Sequence, residues 1–205
     1  LGVVERRRGQ LDQTRALYQR ALDLHREIGD RRLEASMLSN LGVLQYHLGN
    51  LDAATILYEQ SMVVSREVGG RVGEATALSN LGLVDLERGD LDEAQERFQQ
   101  SLVLNRDAGE VIGEGCAAGL LGVMLQHQGD LQKAQDHFRR ALELLERAGD
   151  QRLSGIYLSW TAACEAERGD LASAEDLFDR ARDRLETSGD PAIVLSRDLL
   201  VLSLD

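Results

Sequence analysis

Glycine recurs every twenty residues along this chain, and this spacing constrains the fold more than any other feature of the sequence. The series runs from Gly9 to Gly189 without a slip, and a polar or small residue follows each glycine, as in Gly89-Asp90. A glycine that ends one helix in the left-handed conformation, followed by a side chain that caps the next helix, is a helix stop and start signal. The intervening segments of about 18 residues are long enough for roughly five helical turns. The sequence therefore predicts a string of helices joined by short turns.

Alternate segments differ, so the structural period is forty residues. One kind of segment, here called helix A, carries a Leu-Gly pair, as in Leu41-Gly42 and Leu81-Gly82, with Thr161-Ala162 as a degenerate copy. The other kind, helix B, carries a small residue four positions before an aromatic one, as in Ala94 and Phe98. Small residues let paired helices approach closely, and the aromatic ring fills space between neighbouring repeats. We therefore predict antiparallel pairs of A and B helices.

Composition favours the same all-α fold. Aromatic residues make up only 4% of the chain and Pro191 is the single proline, so residues that favour strands or break helices are scarce. No run of about 18 apolar residues exists that could span a membrane. Residues 1–8 lack the pattern of a signal peptide.

Charge and cysteine usage narrow the class of protein further. A net charge of −12 argues against nucleic-acid binding, which requires clustered positive charge. Cys116 and Cys164 lie inside predicted helices, and two buried, unpaired cysteines fit a reducing cytosol. Lys133 is the only lysine among many arginines, a skew typical of a GC-rich, bacterial genome. We expect a cytoplasmic bacterial protein that binds neither nucleic acid nor membrane.

The motifs together resemble the tetratricopeptide repeat: a Leu-Gly pair, a Gly-Asp turn and an Ala-x-x-x-Phe pair in successive helices. The forty-residue spacing resembles the longer variant found in kinesin light chains, spindle-orientation adaptors and bacterial signalling regulators. The resemblance covers the whole chain and implies a right-handed superhelical solenoid of antiparallel helix pairs with a concave groove. Two features depart from the pattern. The proline that usually ends helix B is missing, and polar or aliphatic residues replace an aromatic three residues after the Leu-Gly pair. Those replacements are Gln45, Asp85, Leu125 and Glu165.

The forty-residue register also predicts how the chain is organised. We expect a single array over residues 1–205, with a truncated helix at 1–8, helix pairs to about residue 188, and part of a further repeat at 190–205. In this interpretation the chain is a fragment of a longer protein. The segment from Ile193 to Leu204 is crowded with apolar residues, so end-to-end self-association is a further expectation.

No pattern of residues points to catalysis, a cofactor or a metal. His47 and His127 occupy equivalent places two repeats apart, too far to share one ion, and His25 and His137 have no ligand-type partner at a suitable spacing. The sequence has no phosphate-binding loop and no nucleophile elbow. We therefore predict a non-catalytic protein that needs no cofactor.

The candidate binding surface is the face of helix A that lines the groove in proteins resembling this one. Its residues follow the spacing i, i+4, i+7, i+11 through the residue before the Leu-Gly pair, together with their immediate neighbours. The candidate groove residues are Ser36, Ser39, Asn40, Val43, Tyr46, His47, Thr76, Ser79, Asn80, Leu83, Glu87, Leu120, Val123, His127, Ile156 and Trp160.

Asn40 and Asn80, each just before a Leu-Gly pair, are the most suggestive of these residues. An amide side chain is both donor and acceptor, so it can pair with the backbone of an extended peptide of any sequence. The resemblance to kinesin light chains and spindle adaptors implies this role, because those proteins use asparagine at this place. A hydrogen bond between helices is the alternative, and the sequence leaves both open.

The groove is predicted to become less polar along its length, because Leu120 and Trp160 stand where Asn40 and Asn80 stand in earlier repeats. Trp160 is either a binding hot spot or a packing residue between repeats. No arginine stands on the predicted stripe. We therefore expect a neutral, apolar or basic partner rather than a strongly acidic one.

Three functions fit these features. The leading prediction is a scaffold that binds a protein or peptide in the groove. A sensor domain that binds a small effector inside a multidomain regulator, a layout resembling the maltose-regulon activator, is the second. The third is a structural spacer whose repeats merely stack.

Alanine substitutions at two glycines are predicted to change stability differently, because one glycine lies in a turn and the other inside a helix. Gly89 should have a left-handed backbone, so alanine there should be destabilising by about 1 kcal/mol. Gly73 lies inside a predicted helix, where alanine should be neutral or stabilising unless packing forbids a methyl group.

Overall fold

A computed structural model describes residues 2–188 of the chain, all of them in α-helices or in the short turns between them. The helices, numbered in chain order, are α1 (Gly2–Glu27), α2 (Arg31–His47), α3 (Leu51–Glu67), α4 (Arg71–Arg88), α5 (Leu91–Ala108), α6 (Val111–His127), α7 (Leu131–Ala148), α8 (Gln151–Glu167) and α9 (Leu171–Ser188). Helices α2, α4, α6 and α8 are the predicted A helices, and α3, α5, α7 and α9 are B helices. Residues 2–188 contain no strand, and the predicted all-α fold of antiparallel helix pairs is confirmed. The predicted partial repeat at 190–205 lies outside the described residues.

The chain divides into two compact units, residues 1–104 and 105–205. In the first unit, α2 packs against α1 and α3, and α3 packs against α4. In the second unit, α7 packs against α6 and α8, and α8 packs against α9. Each unit therefore builds its core from neighbouring antiparallel helices.

Glycines at the predicted spacing end the helices. From Gly29 to Gly169 they all have a positive φ, between 65° and 88°. At the end of α2, for example, Asn50 N–H donates to the Gln45 carbonyl and Gly49 N–H donates to the Tyr46 carbonyl, which satisfies carbonyls that the helix leaves free. The predicted left-handed glycine turns are confirmed at these positions.

The expected turn at Gly9 is absent, so the prediction of a separate helix at residues 1–8 is wrong. Helix α1 runs without a break from Gly2 to Glu27. A single glycine in a helix interior costs only about 1 kcal/mol relative to alanine. The glycine at position 9 therefore lies inside a helix, whereas the glycines from Gly29 to Gly169 lie in turns where the next helix folds back.

The Leu-Gly glycine of each helix A lies directly against the aromatic ring of its helix B. A Cβ atom added to Gly42 would lie 2.5 Å from Tyr58, one added to Gly82 would lie 2.6 Å from Phe98, and one added to Gly122 would lie 2.7 Å from Phe138. Those three rings are buried. In the degenerate repeat Ala162 replaces the glycine, and the matching ring of Phe178 is only half-buried.

The ring of Tyr58 also reaches the next repeat. Tyr58 packs with Leu81 and Val84 of α4 in one buried cluster. The aromatic residue of helix B therefore joins its own helix A to the helix A that follows, as the sequence predicts.

Polar contacts replace the aromatic residue that the family pattern expects after the Leu-Gly pair. Gln45 accepts a hydrogen bond from Asn50 at 2.8 Å. Asp85 is buried and pairs with Arg97 at 3.1 Å. Burial raises the pKa of the Asp85 carboxyl, and Arg97 acts in the opposite direction. Short polar contacts within the helix pair thus occupy this place in unit 1.

A methyl group at Gly73 would overlap the side chain of Ser65. A Cβ atom at Gly73 would lie 2.6 Å from the Ser65 hydroxyl oxygen and 3.3 Å from its Cβ. The exception named for Gly73, that packing leaves too little room for a methyl group, therefore applies. Helix propensity is outweighed by the close approach of α3 and α4.

We predict that Gly82→Ala lowers the free energy of unfolding by about 1 to 3 kcal/mol, because the added methyl group would overlap the fully buried ring of Phe98. Chemical denaturation followed by circular dichroism measures the change. Ala162→Gly is the comparison, since it creates the usual pair in the degenerate repeat without steric overlap and should cost only about 1 kcal/mol of helix propensity. An unchanged denaturation midpoint for Gly82→Ala would contradict the tight glycine–aromatic contact.

Candidate binding pocket

A pocket of about 620 Å³ opens in unit 1 between α2, the end of α3 and the start of α4. We call it the α2–α4 pocket. Helix α2 contributes polar residues that include Asn40, α3 contributes Ser61 and Ser65, and the turn at Gly69-Gly70 leads into α4. This volume is within the range of small-molecule and peptide side-chain sites.

Small residues create the space. Ser65 of α3 faces Gly73 of α4 in this pocket. The equivalent positions two repeats later are Leu145 and Leu153. Leu145 is fully buried and packs against Gly115. The second repeat therefore has a short hydroxyl side chain where a later one has a buried leucine.

Several hydroxyl groups in the pocket already have backbone partners. Ser61 donates to the Ala35 carbonyl at 2.8 Å, Ser36 donates to the Arg32 carbonyl at 3.2 Å, and Thr76 donates to the Val72 carbonyl at 2.9 Å. The side chains of Asn40 and Ser65 differ, because neither has a hydrogen-bond partner within the described part of the chain. These two groups are free to bind a ligand.

Two arginines line the α2–α4 pocket, and no aspartate or glutamate does. Arg32 and Arg71 are both exposed, and neither forms an ion pair among residues 11–187. The predicted stripe on helix A contains no arginine, but the pocket that includes part of this stripe does. Arg32 lies one helical turn before Ser36 on the same face of α2, and Arg71 is the first residue of α4, so both precede the predicted stripe on their helices.

The pocket brings together four of the predicted groove residues, Ser36, Ser39, Asn40 and Thr76. Asn80 lies elsewhere, and its amide donates to the Ser39 hydroxyl at 3.2 Å, so it forms the hydrogen bond between helices that was the alternative at this position. Ser79 shares a hydrogen bond with Ser101 at 2.8 Å.

The other predicted residues of unit 1 do not line the pocket. Tyr46 donates to Glu87 at 3.1 Å and so links α2 to α4. Burial raises the pKa of Tyr46 to about 12, with a further contribution from Glu87. Val43 and Leu83 are half-buried, and His47 is exposed.

The predicted residues of unit 2 have mixed environments. Val123 is only 5% exposed and belongs to the core, so it offers little surface to a partner. Leu120, Ile156 and Trp160 are half-buried, and His127 is exposed. The groove role of these residues stays a prediction.

Sequence reasoning missed Arg32, Ser65 and Arg71. The sequence contained one signal of an unusual turn at this place. Every other glycine of the twenty-residue series is followed by a polar side chain, whereas Gly69 is followed by Gly70. Helix α4 accordingly lacks the side-chain cap that Asp30 gives to α2. The contribution of Ser65 depends on α3 facing α4, which only the tertiary structure provides.

An ion-pair cluster fixes α2 beside the pocket. Glu34 is buried and accepts hydrogen bonds from Arg26 at 2.9 Å and from Arg31 at 2.5 Å, and Arg31 also contacts Glu67. Burial opposes ionisation of Glu34, but the hydrogen bonds from the two arginines outweigh it and lower the pKa of the carboxyl from 4.5. The cluster thereby connects α1, α2 and α3.

We predict that Glu34→Gln lowers the free energy of unfolding at pH 7 by about 1 to 2 kcal/mol, because charge-assisted hydrogen bonds are lost from partly exposed arginines. Since the folded pKa of Glu34 is lowered, its contribution is present above the ordinary value of 4.5 and is lost as the pH falls through the folded pKa. The difference between the wild type and the variant should therefore shrink in acid. Denaturation curves at several pH values measure this, with the exposed Glu59→Gln as control. A difference that does not depend on pH would contradict the assignment.

The fold and the pocket define a helical-repeat protein with a polar pocket. The profile of the tetratricopeptide repeat family matches residues 1–62, 33–106 and 114–187, and a second profile of the same description matches residues 79–142. The chain belongs to the tetratricopeptide repeat family. No curated protein sequence matches it significantly.

Solved structures share the fold. The Rap conjugation gene regulator of plasmid pLS20, in complex with a Phr peptide, is 16% identical with a TM-score of 0.81, over 97% of this chain and 55% of that one. A Rap protein complexed with competence and sporulation factor is 15% identical with a TM-score of 0.79, over 99% and 62%. BtubC (BKLC) from P. vanneervenii is 23% identical with a TM-score of 0.69, over 92% and 78%. The chain thus spans a little over half of each Rap structure.

No helix among residues 2–188 is long and apolar enough to cross a membrane.

Proposed function

We propose that this chain is a non-catalytic scaffold that binds an extended segment of a partner protein or peptide in the α2–α4 pocket. The observation that carries the proposal is the unpartnered amide of Asn40 beside a pocket of about 620 Å³. An amide can donate to and accept from the backbone of an extended peptide at once. Membership of the tetratricopeptide repeat family supports a binding role, and so do the peptide-bound structures of similar fold.

The chemistry of the pocket favours binding over catalysis. Its polar lining consists of hydroxyls, one amide and two guanidinium groups. No carboxylate, imidazole or thiol that could act as a general base lines it. Positioning, rather than proton transfer, is what these groups can supply.

A cytoplasmic location is part of the proposal. Cys116 and Cys164 are free thiols in the structure. Burial raises the pKa of each thiol to about 11, so they stay protonated and unreactive. Such thiols are compatible with a reducing compartment.

We predict that Asn40→Ala weakens peptide binding about tenfold and leaves the melting temperature unchanged, because the amide bonds to no other described residue. Panning a random peptide library on the wild-type chain supplies the ligand, and fluorescence anisotropy measures its affinity. Asn80→Ala is the matched control. Asn80 does not itself line the pocket, but its amide bonds to the pocket residue Ser39, so this variant should lower the melting temperature and weaken affinity much less than Asn40→Ala does. Failure to enrich any peptide, or normal binding by Asn40→Ala, would count against the proposal.

A further inference from the structure

We propose that the α2–α4 pocket holds the carboxylate of an acidic side chain, Asp or Glu, in the partner's bound segment. This inference rests on the proposed function and names the chemistry that the pocket selects. It reverses the expectation from sequence that acidic partners are disfavoured.

The arginines of the pocket are unusual in this chain. Most arginines whose side chains the structure describes form an ion pair or a hydrogen bond, as Arg26 does with Glu34 and Arg66 does with Glu74. The exceptions among residues 11–187 are Arg20, Arg32, Arg71 and Arg147. Arg32 and Arg71 therefore lie at one pocket, from two different helices, without the carboxylate partner that arginine has elsewhere in the protein.

Nearby carboxylates do not neutralise this pair. Glu34 and Glu67 are bound by Arg31, and Glu74 is bound by Arg66. The pocket is therefore locally cationic although the chain carries a net charge of −12. A partner's carboxylate gains an attraction there that operates over a few ångströms, whereas repulsion from more distant surface charges is screened beyond about 8 Å at physiological salt.

A buried donor supports the same ligand. Ser65 is only 2% exposed and lines the pocket, yet its hydroxyl has no hydrogen-bond partner among the described residues. Ser61, one turn earlier and equally buried, donates to the Ala35 carbonyl. The Ser65 oxygen is not sealed from solvent, so its hydroxyl is open at the pocket and can donate to a ligand. An oxygen ligand in the pocket would accept from Ser65.

These groups match a carboxylate well. Guanidinium groups bind carboxylates through paired N–H donors, and hydrogen bonds to an ionised acceptor are stronger than neutral ones. The Ser65 hydroxyl provides a further donor at the buried side of the pocket. A singly charged carboxylate also experiences less repulsion from the acidic chain than a doubly charged phosphate group does.

The test begins with panning a random peptide library on the full chain at physiological salt. The enriched peptide is then synthesised with a fluorescent label in three forms: the original, one with each acidic residue replaced by its amide, and one with phosphoserine at the same place. Fluorescence anisotropy measures the affinity of each form. We expect enriched peptides to share an acidic residue, and its replacement by the amide to weaken binding about tenfold.

Variants of the protein assign that loss to the pocket. Arg32→Gln and Arg71→Gln should each weaken binding of the acidic peptide several-fold and leave the amide form unchanged. Ser65→Ala should also weaken binding of the acidic peptide, with an unchanged melting temperature, since its hydroxyl has no partner to lose. The matched controls are Arg20→Gln and Arg147→Gln, which remove unpaired arginines that do not line the pocket.

The outcomes separate the two proposals. If peptides bind in an Asn40-dependent manner but show no preference for an acidic residue, the scaffold function stands and the carboxylate site is wrong. The carboxylate site is equally wrong if the arginine variants bind the acidic peptide as well as the controls do. Tighter, arginine-dependent binding of the phosphoserine form would replace the carboxylate with a phosphate ligand. If no peptide is enriched, both proposals are overturned.

Discussion

The fold depends on one contact, the aromatic ring of helix B lying on a glycine of helix A. Gly82 has no side chain because Phe98 occupies the place where its Cβ would be. That close approach buries the ring on both sides, since a ring such as Tyr58 also packs against Leu81 in the next repeat. The degenerate repeat illustrates the dependence. There Ala162 replaces the glycine, and the ring of Phe178 is only half-buried, whereas the rings that face a glycine are buried. Repetition of this contact aligns the helices and so decides which faces are left for binding.

The binding pocket arises where the repeat departs from its own pattern. Two repeats later Leu145 holds the position of Ser65 and is buried against Gly115 of α6, and Leu153 holds the position of Gly73. The small residues of the second repeat leave a volume that close packing elsewhere removes. The glycine at position 70 extends the opening, because it places no capping side chain at its edge. A pocket in a repeat protein can thus form where small residues replace larger ones, without an inserted loop.

The charge at the α2–α4 pocket differs in sign from the net charge of the chain, because the carboxylates near the pocket are paired. The chain is acidic, yet its carboxylates near the pocket are already bound: Glu34 by two arginines and Glu74 by Arg66. This pairing leaves Arg32 and Arg71 available at the pocket. The buried Glu34 stays ionised because its hydrogen bonds outweigh its burial, so the cluster that holds α2 in place also removes a competing anion from the neighbourhood of the binding groups.

The sequence by itself determined the helices, their turns and their pairing, because glycine spacing and aromatic periodicity act over short distances that a linear pattern records. It also predicted that Asn40 and Ser36 share one face, and both line the α2–α4 pocket. The tertiary structure alone decided that Asn80 bonds to Ser39 while Asn40 stays free, since both asparagines have the same place in their repeats. It alone brought Arg32 and Arg71 together from separate helices, and it alone showed that Gly73 has no room for a methyl group. Those outcomes depend on which side chain an adjacent helix presents, and spacing along one helix contains no information about its neighbour.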